Sequence, residues 1–279
     1  MKLYIDVGGT YLRSELHTGE EVMSARVGAA SVDLSEYIEA QIREFGVPEF
    51  IGIAFAGQVS GGRVHSAPNV SLKEPAIKAY FESRYDLRLE IENDLGCAVM
   101  AEANRYGATD IVALYAGTGL GSGVVCDGKL LRGSGGFAAE IGHVPYREAP
   151  FTCGCGKRNC LELYASGSGL AKWLEYNGMS HTATLEQLRD GTPEQRKIVS
   201  AFEMAWLHAA ATLVTLYNPA RLVLGGGIVA QNPYLERVLA EELGNYALKA
   251  SLEGLEITVS DLVNAPLEGA KLLERNIYG

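Results

Sequence analysis

Two glycine-rich turns, each between two predicted strands, constrain the fold of this chain more than any other feature. The first, DVGGT at residues 6–10, separates KLYIDV from YLRSELH. The second, AGTGLGSG at residues 116–123, separates IVALY from GVVCD. Glycine permits a tight backbone path in such turns, which favours short hairpins. Because each turn opens a similar series of strands, the order of elements fits a duplicated α/β fold.

Predicted strands and helices alternate in both halves, which is typical of layered α/β proteins. One helix is predicted within residues 31–46, with Ser31 or Asp33 as its cap and Gly46 at its end. The other predicted helices cover residues 95–106, 160–177, 184–190, 194–217, 232–248 and 265–279. The character of the sequence changes near residues 108–116, which predicts two lobes. Residues 1–110, joined by the last helix (265–279), form the N-terminal lobe, and residues 111–264 form the C-terminal lobe.

Charge and composition exclude several classes of protein. The 279 residues carry a net charge of −10, which argues against nonspecific binding of nucleic acid through Lys and Arg. No run approaches the ~20 apolar residues of a membrane span, and the N-terminus lacks the pattern of a signal peptide. We therefore expect a cytoplasmic protein that binds neither a membrane nor nucleic acid. Its five cysteines then predict metal ligands or buried thiols rather than disulfides.

Both glycine-rich turns are candidate phosphate-binding sites. Backbone N–H groups in such turns bind phosphate even in an acidic protein. Asp6, at the end of the first strand, is placed to orient a water molecule bound to a cation. The candidate phosphate contacts are Gly8, Gly9 and Thr10 in the first turn, and Gly117, Thr118 and Gly119 in the second. The alternative is a pair of ordinary hairpin turns.

A third glycine-rich segment, LVLGGGIVA at residues 222–230, follows a predicted strand. Gly225, Gly227 and Ala230 match one form of the dinucleotide fingerprint, but that fingerprint usually opens a fold rather than coming late in it. A glycine-rich wall against the adenosine of a nucleotide is the better functional interpretation. A turn that only packs a helix is the alternative.

A carboxylate stands where the strand LRLEIEN gives way to a helix, in the segment IENDLGCA. Asp94 is either the N-cap of that helix or a general base on the loop. A kinase that acts on an alcohol needs such a carboxylate to accept the hydroxyl proton. The neighbouring Asn93 is placed to hold adjacent hydroxyl groups.

Three of the five cysteines lie within the segment CGCGKRNC, at residues 153–160. Together with His143, which precedes the segment by ten residues, they give a set of three thiols and one imidazole. Cys153, Cys155, Cys160 and His143 match the closed tetrahedral shell of a structural Zn²⁺. The alternative is a loop with reduced, unliganded cysteines.

These motifs, in this order, resemble the ROK family, which contains repressors, sugar kinases and uncharacterised reading frames. The resemblance covers nearly the full chain and rests on the segments DVGGT, ENDLGCA, GTGLGSG, GGFAAEIGHVPY, CGCGKRNCLE and LVLGGGIV. It implies a two-lobed, actin-like ATPase fold of the ribonuclease H-like type, with sugar and ATP in a cleft between the lobes. It also suggests a homodimer.

The resemblance further implies a role for individual residues. Asp94 would be the catalytic base for a hexose hydroxyl, and His143 would bind zinc with one ring nitrogen and sugar with the other. The two Gly/Thr turns would bind the ATP phosphates with Mg²⁺, while Gly226 and Gly227 would border the adenosine. The implied sugar-binding residues are Gly57, Asn69, Asn93, Asp94, Glu140, His143 and Glu162.

The leading hypothesis is therefore ATP-dependent phosphorylation of a hexose, at C6 of glucose or a related sugar. A kinase for N-acetylmannosamine, N-acetylglucosamine or fructose is an alternative, and polyphosphate is an alternative phosphoryl donor. A non-catalytic, sugar-sensing ROK protein is an alternative of another class. A DNA-binding domain is not expected, because the first turn already begins at residue 6.

Overall fold

The computed structural model describes residues 1–67, 70–180, 184–275 and 278. The chain divides into two compact units: unit 1 is Met1–Tyr106, Lys129–Ala138 and Leu262–Gly279, and unit 2 is Gly107–Gly128 and Ala139–Asp261. Residues 129–138 thus belong to unit 1, whereas the sequence predicts them in the second lobe. Within unit 1 this segment is held by an ion pair between Arg132 Nε and Glu92 Oε2 at 2.7 Å and by a hydrogen bond from the Leu130 N–H to the Tyr278 carbonyl at 3.2 Å. The other expected lobe boundaries stay a prediction.

The described residues contain twelve strands and ten α-helices. The strands are β1 (Lys2–Val7), β2 (Tyr11–Thr18), β3 (Glu21–Gly28), β4 (Phe50–Phe55), β5 (Gln58–Ser60), β6 (Arg63–Ser66), β7 (Arg88–Asn93), β8 (Ile111–Ala116), β9 (Leu120–Cys126), β10 (Lys129–Leu130), β11 (Arg221–Gly225) and β12 (Glu256–Val259). The α-helices are α1 (Leu34–Phe45), α2 (Ile77–Glu82), α3 (Asp94–Tyr106), α4 (Glu162–Ala165), α5 (Gly167–Tyr176), α6 (Leu185–Arg189), α7 (Pro193–Tyr217), α8 (Gly227–Gln231), α9 (Tyr234–Glu242) and α10 (Ala265–Leu272).

The main sheet of unit 1 has the strand order β3-β2-β1-β4-β7. Strands β1, β2 and β3 form antiparallel pairs, and β4 and β7 continue the sheet in parallel with β1. Strand β1 is almost entirely buried, and Ile5, Ile53 and Phe55 lie in the core of this unit. Buried parallel strands read as continuous apolar runs, which is the pattern of FIGIAF in β4.

Unit 2 repeats this arrangement. Its strands follow the order β9-β8-β11-β12, with an antiparallel pair at β9 and β8 and parallel pairs from β8 onward. In each unit a glycine-rich turn connects the first two strands, so the two turns occupy equivalent positions. The repeated order supports the duplicated α/β fold expected from the sequence.

Helix α1 follows the sequence prediction closely. Asp33 is its N-cap and accepts hydrogen bonds from the backbone N–H groups of Ser35 and Glu36. Gly46, with φ of 93°, ends the helix in a conformation that L-residues rarely adopt. Of the two candidate caps, the structure therefore selects Asp33 rather than Ser31.

Three predicted helices are wrong in extent. The predicted helix 232–248 corresponds to α9, which ends at Glu242 and is followed by a 3-10 turn over Leu243–Asn245. Instead of a continuous helix over 160–177, α4 and α5 are separated by Ser166, whose backbone is extended. Ser166 Oγ donates to the Glu162 carbonyl and accepts the N–H of Gly169, so the residue ends one helix and caps the next. The predicted helix 265–279 is shorter in the structure, because α10 ends at Leu272 and a 3-10 turn follows over Leu273–Arg275.

Among the described residues, one helix is long and apolar enough to cross a membrane, namely α7. However, 61% of its most apolar stretch is buried inside the protein. Phe202 and Trp206 are among the largest fully buried side chains and belong to the core of unit 2. The apolar composition of α7 is therefore explained by its position in that core.

Helix α10 fixes the positions of two other elements of unit 1. Gly269 packs so closely on α3 that a Cβ atom would overlap the carbonyl group of Cys97. On β4, a Cβ atom at Gly52 would overlap the carbonyl oxygen of Ala270 in the same way. These close contacts leave α10 no freedom to shift relative to β4 or to α3, which begins with Asp94.

Candidate functional site

In unit 1, Asn93 organises the junction between β7 and α3. Its Oδ1 accepts the N–H groups of Leu95 and Gly96, at 2.9 and 3.1 Å, and thus caps the helix. Its Nδ2 donates to the carbonyl oxygen of Gly57 at 3.1 Å. The capping role that the sequence left open for Asp94 is therefore carried by Asn93. A role for Asn93 in binding sugar stays a prediction.

Asp94 is the first residue of α3, and its Oδ1 lies 3.0 Å from the N–H of Leu95. Cys97, one turn further on, is fully buried. Burial raises the pKa of the Cys97 thiol, and the nearby charges of Glu92, Asp94 and Asp6 raise it further. Asp94 therefore stands at the beginning of α3, directly after the residue that caps the helix.

The loop at Gly57 leaves no space for a side chain. A Cβ atom there would overlap the carbonyl oxygen of Ser66, on β6. The hydrogen bond from Asn93 holds the other side of this loop. The structure therefore brings Gly57, Asn93 and Asp94 together, as the sequence predicts for a common site. Asn69, another predicted sugar ligand, lies outside the described residues.

Asp6 lies near the end of β1 and is 4% exposed. Its Oδ2 accepts hydrogen bonds from Arg13 at 3.2 Å and from Asn264 Nδ2 at 3.0 Å. Burial raises the pKa of Asp6 above its ordinary value, and these two donors act in the opposite direction. The first turn itself is closed by a hydrogen bond from the Gly8 N–H to the Tyr11 carbonyl at 3.0 Å.

In unit 2, the second turn is anchored to the beginning of α5. The N–H groups of Gly167 and Ser168 donate to the carbonyls of Gly117 and Thr118, at 2.8 and 3.0 Å. A Cβ atom at Gly167 would lie 2.8 Å from the Gly117 oxygen, so this anchor requires glycine. These contacts are not predicted from the sequence, although the segment SGSGL that contains them is itself rich in glycine and serine.

Gly226 brings the third glycine-rich segment against the second turn. Its φ is 90°, and a Cβ atom would overlap the carbonyl oxygen of Ala116, directly before Gly117. Gly227 begins α8, and apart from the adjoining backbone no atom lies within 4 Å of the position that its Cβ would take. Within unit 2, the predicted phosphate and adenosine residues are therefore neighbours.

Glu162, at the start of α4, contacts both the second turn and the cysteine cluster. Its Oε2 accepts the N–H of Leu120 at 3.1 Å, and its Oε1 lies 3.2 Å from Cys153 Sγ. A Cβ atom at Gly119 would lie 2.7 Å from the same Oε2, so the glycine permits this contact. The Glu162 carboxylate thus connects the second turn with the cysteine cluster within unit 2.

The four predicted metal ligands converge. One donor atom from each of His143, Cys153, Cys155 and Cys160 lies within 4.8 Å of all the others. Cys155 Sγ is 3.4 Å from Cys160 Sγ, and His143 Nδ1 is 3.7 Å from Cys153 Sγ. Sulfur ligands of a tetrahedral Zn²⁺ lie about 3.8 Å apart when the Zn–S bonds are about 2.3 Å. The cluster is therefore able to hold a metal ion of this kind.

Glu140 belongs to the same electrostatic environment. Burial raises the pKa of its carboxyl group, the imidazole of His143 lowers it, and the charge of Glu162 raises it. Glu140 directly precedes the 3-10 turn Ile141–His143, and its carbonyl oxygen accepts the N–H of His143 at 3.0 Å. His143 and Glu162 both contact Cys153, so these three predicted sugar ligands lie at or next to the cysteine cluster.

Comparison with known proteins decides the family. The ROK family matches residues 3–276, which is nearly the whole chain. The chain belongs to the ROK family.

Three known relatives show how far this likeness extends. The glucokinase of Streptomyces coelicolor is 32% identical over 203 residues, and the match covers 64% of this chain and 64% of that protein. The glucokinase of Thermotoga maritima is 28% identical over 95% of this chain and 89% of that protein. A ROK glucokinase from Streptomyces griseus, solved with glucose and AMPPNP, is 25% identical, with a TM-score of 0.75 and 99% of both chains covered. The likeness confirms the actin-like ATPase fold expected from the sequence.

Proposed function

We propose that this ROK protein is an ATP-dependent hexose kinase that phosphorylates glucose or a closely related sugar at C6. The observation that carries this proposal is the position of Asp94. It opens α3 beside Asn93, which performs the capping and holds the Gly57 loop. Glucokinases among the relatives, one of them solved with glucose and AMPPNP, support the same choice of substrates.

Asp94 would act as the general base. Its carboxylate accepts the proton of the sugar hydroxyl while that oxygen forms a bond to the γ-phosphorus of ATP and the bond from phosphorus to the ADP oxygen breaks. Gly57 and Asn93 in unit 1, and Glu140, His143 and Glu162 in unit 2, would hydrogen-bond the remaining hydroxyl groups. Asn69 stays a predicted sugar ligand.

The glycine-rich segments fit ATP because they leave room close to the backbone. Apart from the adjoining backbone, no atom lies within 4 Å of the position that a Cβ would take at Gly117 or Gly227. A phosphate or an adenosine can therefore approach the main chain there. Gly8, Gly9 and Thr10, with Thr118 and Gly119, would complete the phosphate contacts, and Gly226 would border the adenosine. Mg²⁺ supplies charge neutralisation on the phosphates when bound, and Asp6 would orient one of its water molecules.

We further propose that the cysteine cluster holds a structural Zn²⁺. Three thiols and one imidazole form a closed shell with no position left for substrate. His143 would bind through Nδ1, the nitrogen that lies 3.7 Å from Cys153 Sγ. Its Nε2–H would then be available to the sugar in a fixed orientation, which is a common effect of metal ligation on histidine.

The decisive experiment is Asp94→Asn, assayed by ADP release and by calorimetric titration with glucose. Loss of a general base lowers turnover by roughly 10²- to 10⁴-fold, while glucose binding should stay within a few-fold of wild type. The matched control is Asp86→Asn, at an exposed acid of the same unit. Wild-type turnover in Asp94→Asn would disprove the base assignment.

A sugar panel tests the choice of substrate. Glucose, mannose, fructose, N-acetylglucosamine and N-acetylmannosamine should be compared with ATP and with polyphosphate as donors. We expect the highest kcat/KM with glucose and ATP. Indifference to every hexose would contradict the kinase assignment and favour a non-catalytic sugar-binding protein. A cytoplasmic location and a homodimer stay predictions that fractionation and light scattering test.

A further inference from the structure

Within unit 1, a hydrogen bond joins Asn264, near the end of the chain, to the carboxylate of Asp6, near its beginning. Its Nδ2 donates to Asp6 Oδ2 at 3.0 Å, although the two residues are 258 positions apart in the chain. Asp6 is 4% exposed. A hydrogen bond to a buried carboxylate is stronger than one between neutral groups, because the acceptor is charged and little water competes.

The amide of Asn264 is held at both of its ends. Its Oδ1 accepts the N–H of Leu267 at 3.3 Å, and Asn264 is thereby the N-cap of α10. Because Oδ1 accepts a hydrogen bond from the helix backbone, the NH₂ group of the same amide points towards Asp6. Neither aspartate nor serine, which serve equally well as caps, would supply this donor in the same place.

Arg13 is the other donor to Asp6, but it is held less firmly. Its side chain is 41% exposed, and its guanidinium carbon lies 5.7 Å from the ring of Tyr11 on the same strand. A long, half-exposed side chain reorients readily. In contrast, α10 is fixed by its close packing on β4 and α3. Asn264 is therefore the donor that sets the orientation of Asp6.

We propose that Asn264 is a positioning residue for the nucleotide site: by engaging Asp6 Oδ2, it directs the other carboxylate oxygen to a water molecule on the nucleotide-bound Mg²⁺. This inference rests on the proposed kinase function. Helix α10 also packs on α3, which begins with Asp94. The same helix therefore helps to position both Asp6, which serves the phosphates, and Asp94, which serves the sugar. Asn264 itself touches neither substrate.

Two substitutions test the proposal. Asn264→Ser keeps a capping oxygen but removes the donor to Asp6. Asn264→Asp also keeps the cap and replaces the donor with a second acceptor beside a carboxylate. Binding of Mg·AMPPNP and of glucose should be measured separately by calorimetry, together with thermal unfolding. We expect about tenfold weaker binding of Mg·AMPPNP in Asn264→Ser, the effect of one lost charge-assisted hydrogen bond, and at least as large a loss in Asn264→Asp.

Glucose affinity separates positioning from a structural role. We expect it to stay within twofold of wild type in both variants. Thr184→Ala, which removes the cap of α6, is the control for loss of a cap alone and should change neither affinity. Unchanged binding of Mg·AMPPNP in both Asn264 variants, or an equal loss of glucose and nucleotide binding, would overturn the inference. If the wild-type protein itself fails to bind Mg·AMPPNP, the proposed kinase function fails, and the inference fails with it.

Discussion

Glu162 and Leu120 are joined by a hydrogen bond of 3.1 Å from the backbone N–H of Leu120 to Glu162 Oε2. Leu120, the first residue of β9, directly follows Gly119 in the second glycine-rich turn, and the other oxygen of Glu162 lies 3.2 Å from Cys153 Sγ. One carboxylate therefore connects a candidate phosphate-binding turn with the candidate metal centre. The sequence predicts Glu162 only as a sugar ligand, but its carboxylate also supports the second glycine-rich turn.

This link predicts that Glu162→Ala weakens the binding of both substrates. The variant loses a sugar contact and also the acceptor for the Leu120 N–H, so we expect the KM values for sugar and for ATP each to rise about tenfold, the effect of one charge-assisted hydrogen bond. Glu140→Ala is the matched control, since it should raise the KM for sugar alone. Steady-state kinetics with each substrate varied in turn will distinguish them. An unchanged KM for ATP in Glu162→Ala would show that the turn does not depend on this carboxylate.

Removal of the metal should affect the sugar more than the nucleotide. Cys155→Ser takes one ligand from the cluster, and we expect loss of bound zinc together with a higher KM for sugar, because His143 is no longer held in place. Cys126→Ser, at an exposed cysteine outside the cluster, should retain both the metal and the KM. Elemental analysis and kinetics on the same samples provide the measurement. A zinc-free protein with an unaltered KM for sugar would separate the metal from the sugar site.

Gly226 and Gly227 are adjacent but should respond differently to alanine. At Gly226, a Cβ atom would overlap the Ala116 carbonyl oxygen, and the φ of 90° is itself unfavourable for alanine. We expect Gly226→Ala to reduce the free energy of unfolding by about 1–3 kcal/mol and to weaken binding of AMPPNP by displacing the second turn. At Gly227 the corresponding space is open, so Gly227→Ala should unfold at the wild-type temperature. Equal stability of the two variants would contradict this account.

The cap of α1 should make part of the stability depend on pH. Burial alone would raise the pKa of Asp33, but hydrogen bonds from the start of α1 and from the Lys73 N–H outweigh it and hold the pKa below its ordinary value of 3.8. The folded state therefore binds this proton less readily than the unfolded state. The resulting stabilisation is present above pH 3.8 and is lost as the pH falls through the lower, folded-state pKa.

Asp33→Ala should accordingly lower the free energy of unfolding by about 1–2 kcal/mol at pH 7, and the difference from wild type should shrink below pH 3.8. Urea unfolding across this range measures it. Asp86→Ala, at an exposed acid of the same unit, should show no such trend. If the free energies of unfolding of wild type and Asp33→Ala differed by the same amount at every pH, the charge of Asp33 would contribute nothing to stability.

The sequence alone predicted the local features well. The first three strands, the cap and the end of α1, and the strand that leads into Asp94 all follow from short patterns of apolar, capping and glycine residues. The metal-ligand cluster was also predictable, because three of its members lie within eight residues and need only a tight loop to meet. Local periodicity and close spacing carry such information, since the physical forces involved act between near neighbours in the chain.

Only the tertiary structure decided the contacts between distant segments. Nothing in the sequence indicated that Ser166 divides a helix to anchor the second turn, or that Arg132 returns to pair with Glu92. Likewise, only the packing of α10 on β4 and α3 brings Asn264 to Asp6 across 258 positions. A hydrogen bond of this kind depends on how whole elements pack. The sequence thus determined which chemical groups are present and the local structure around them, whereas packing decided which of them meet.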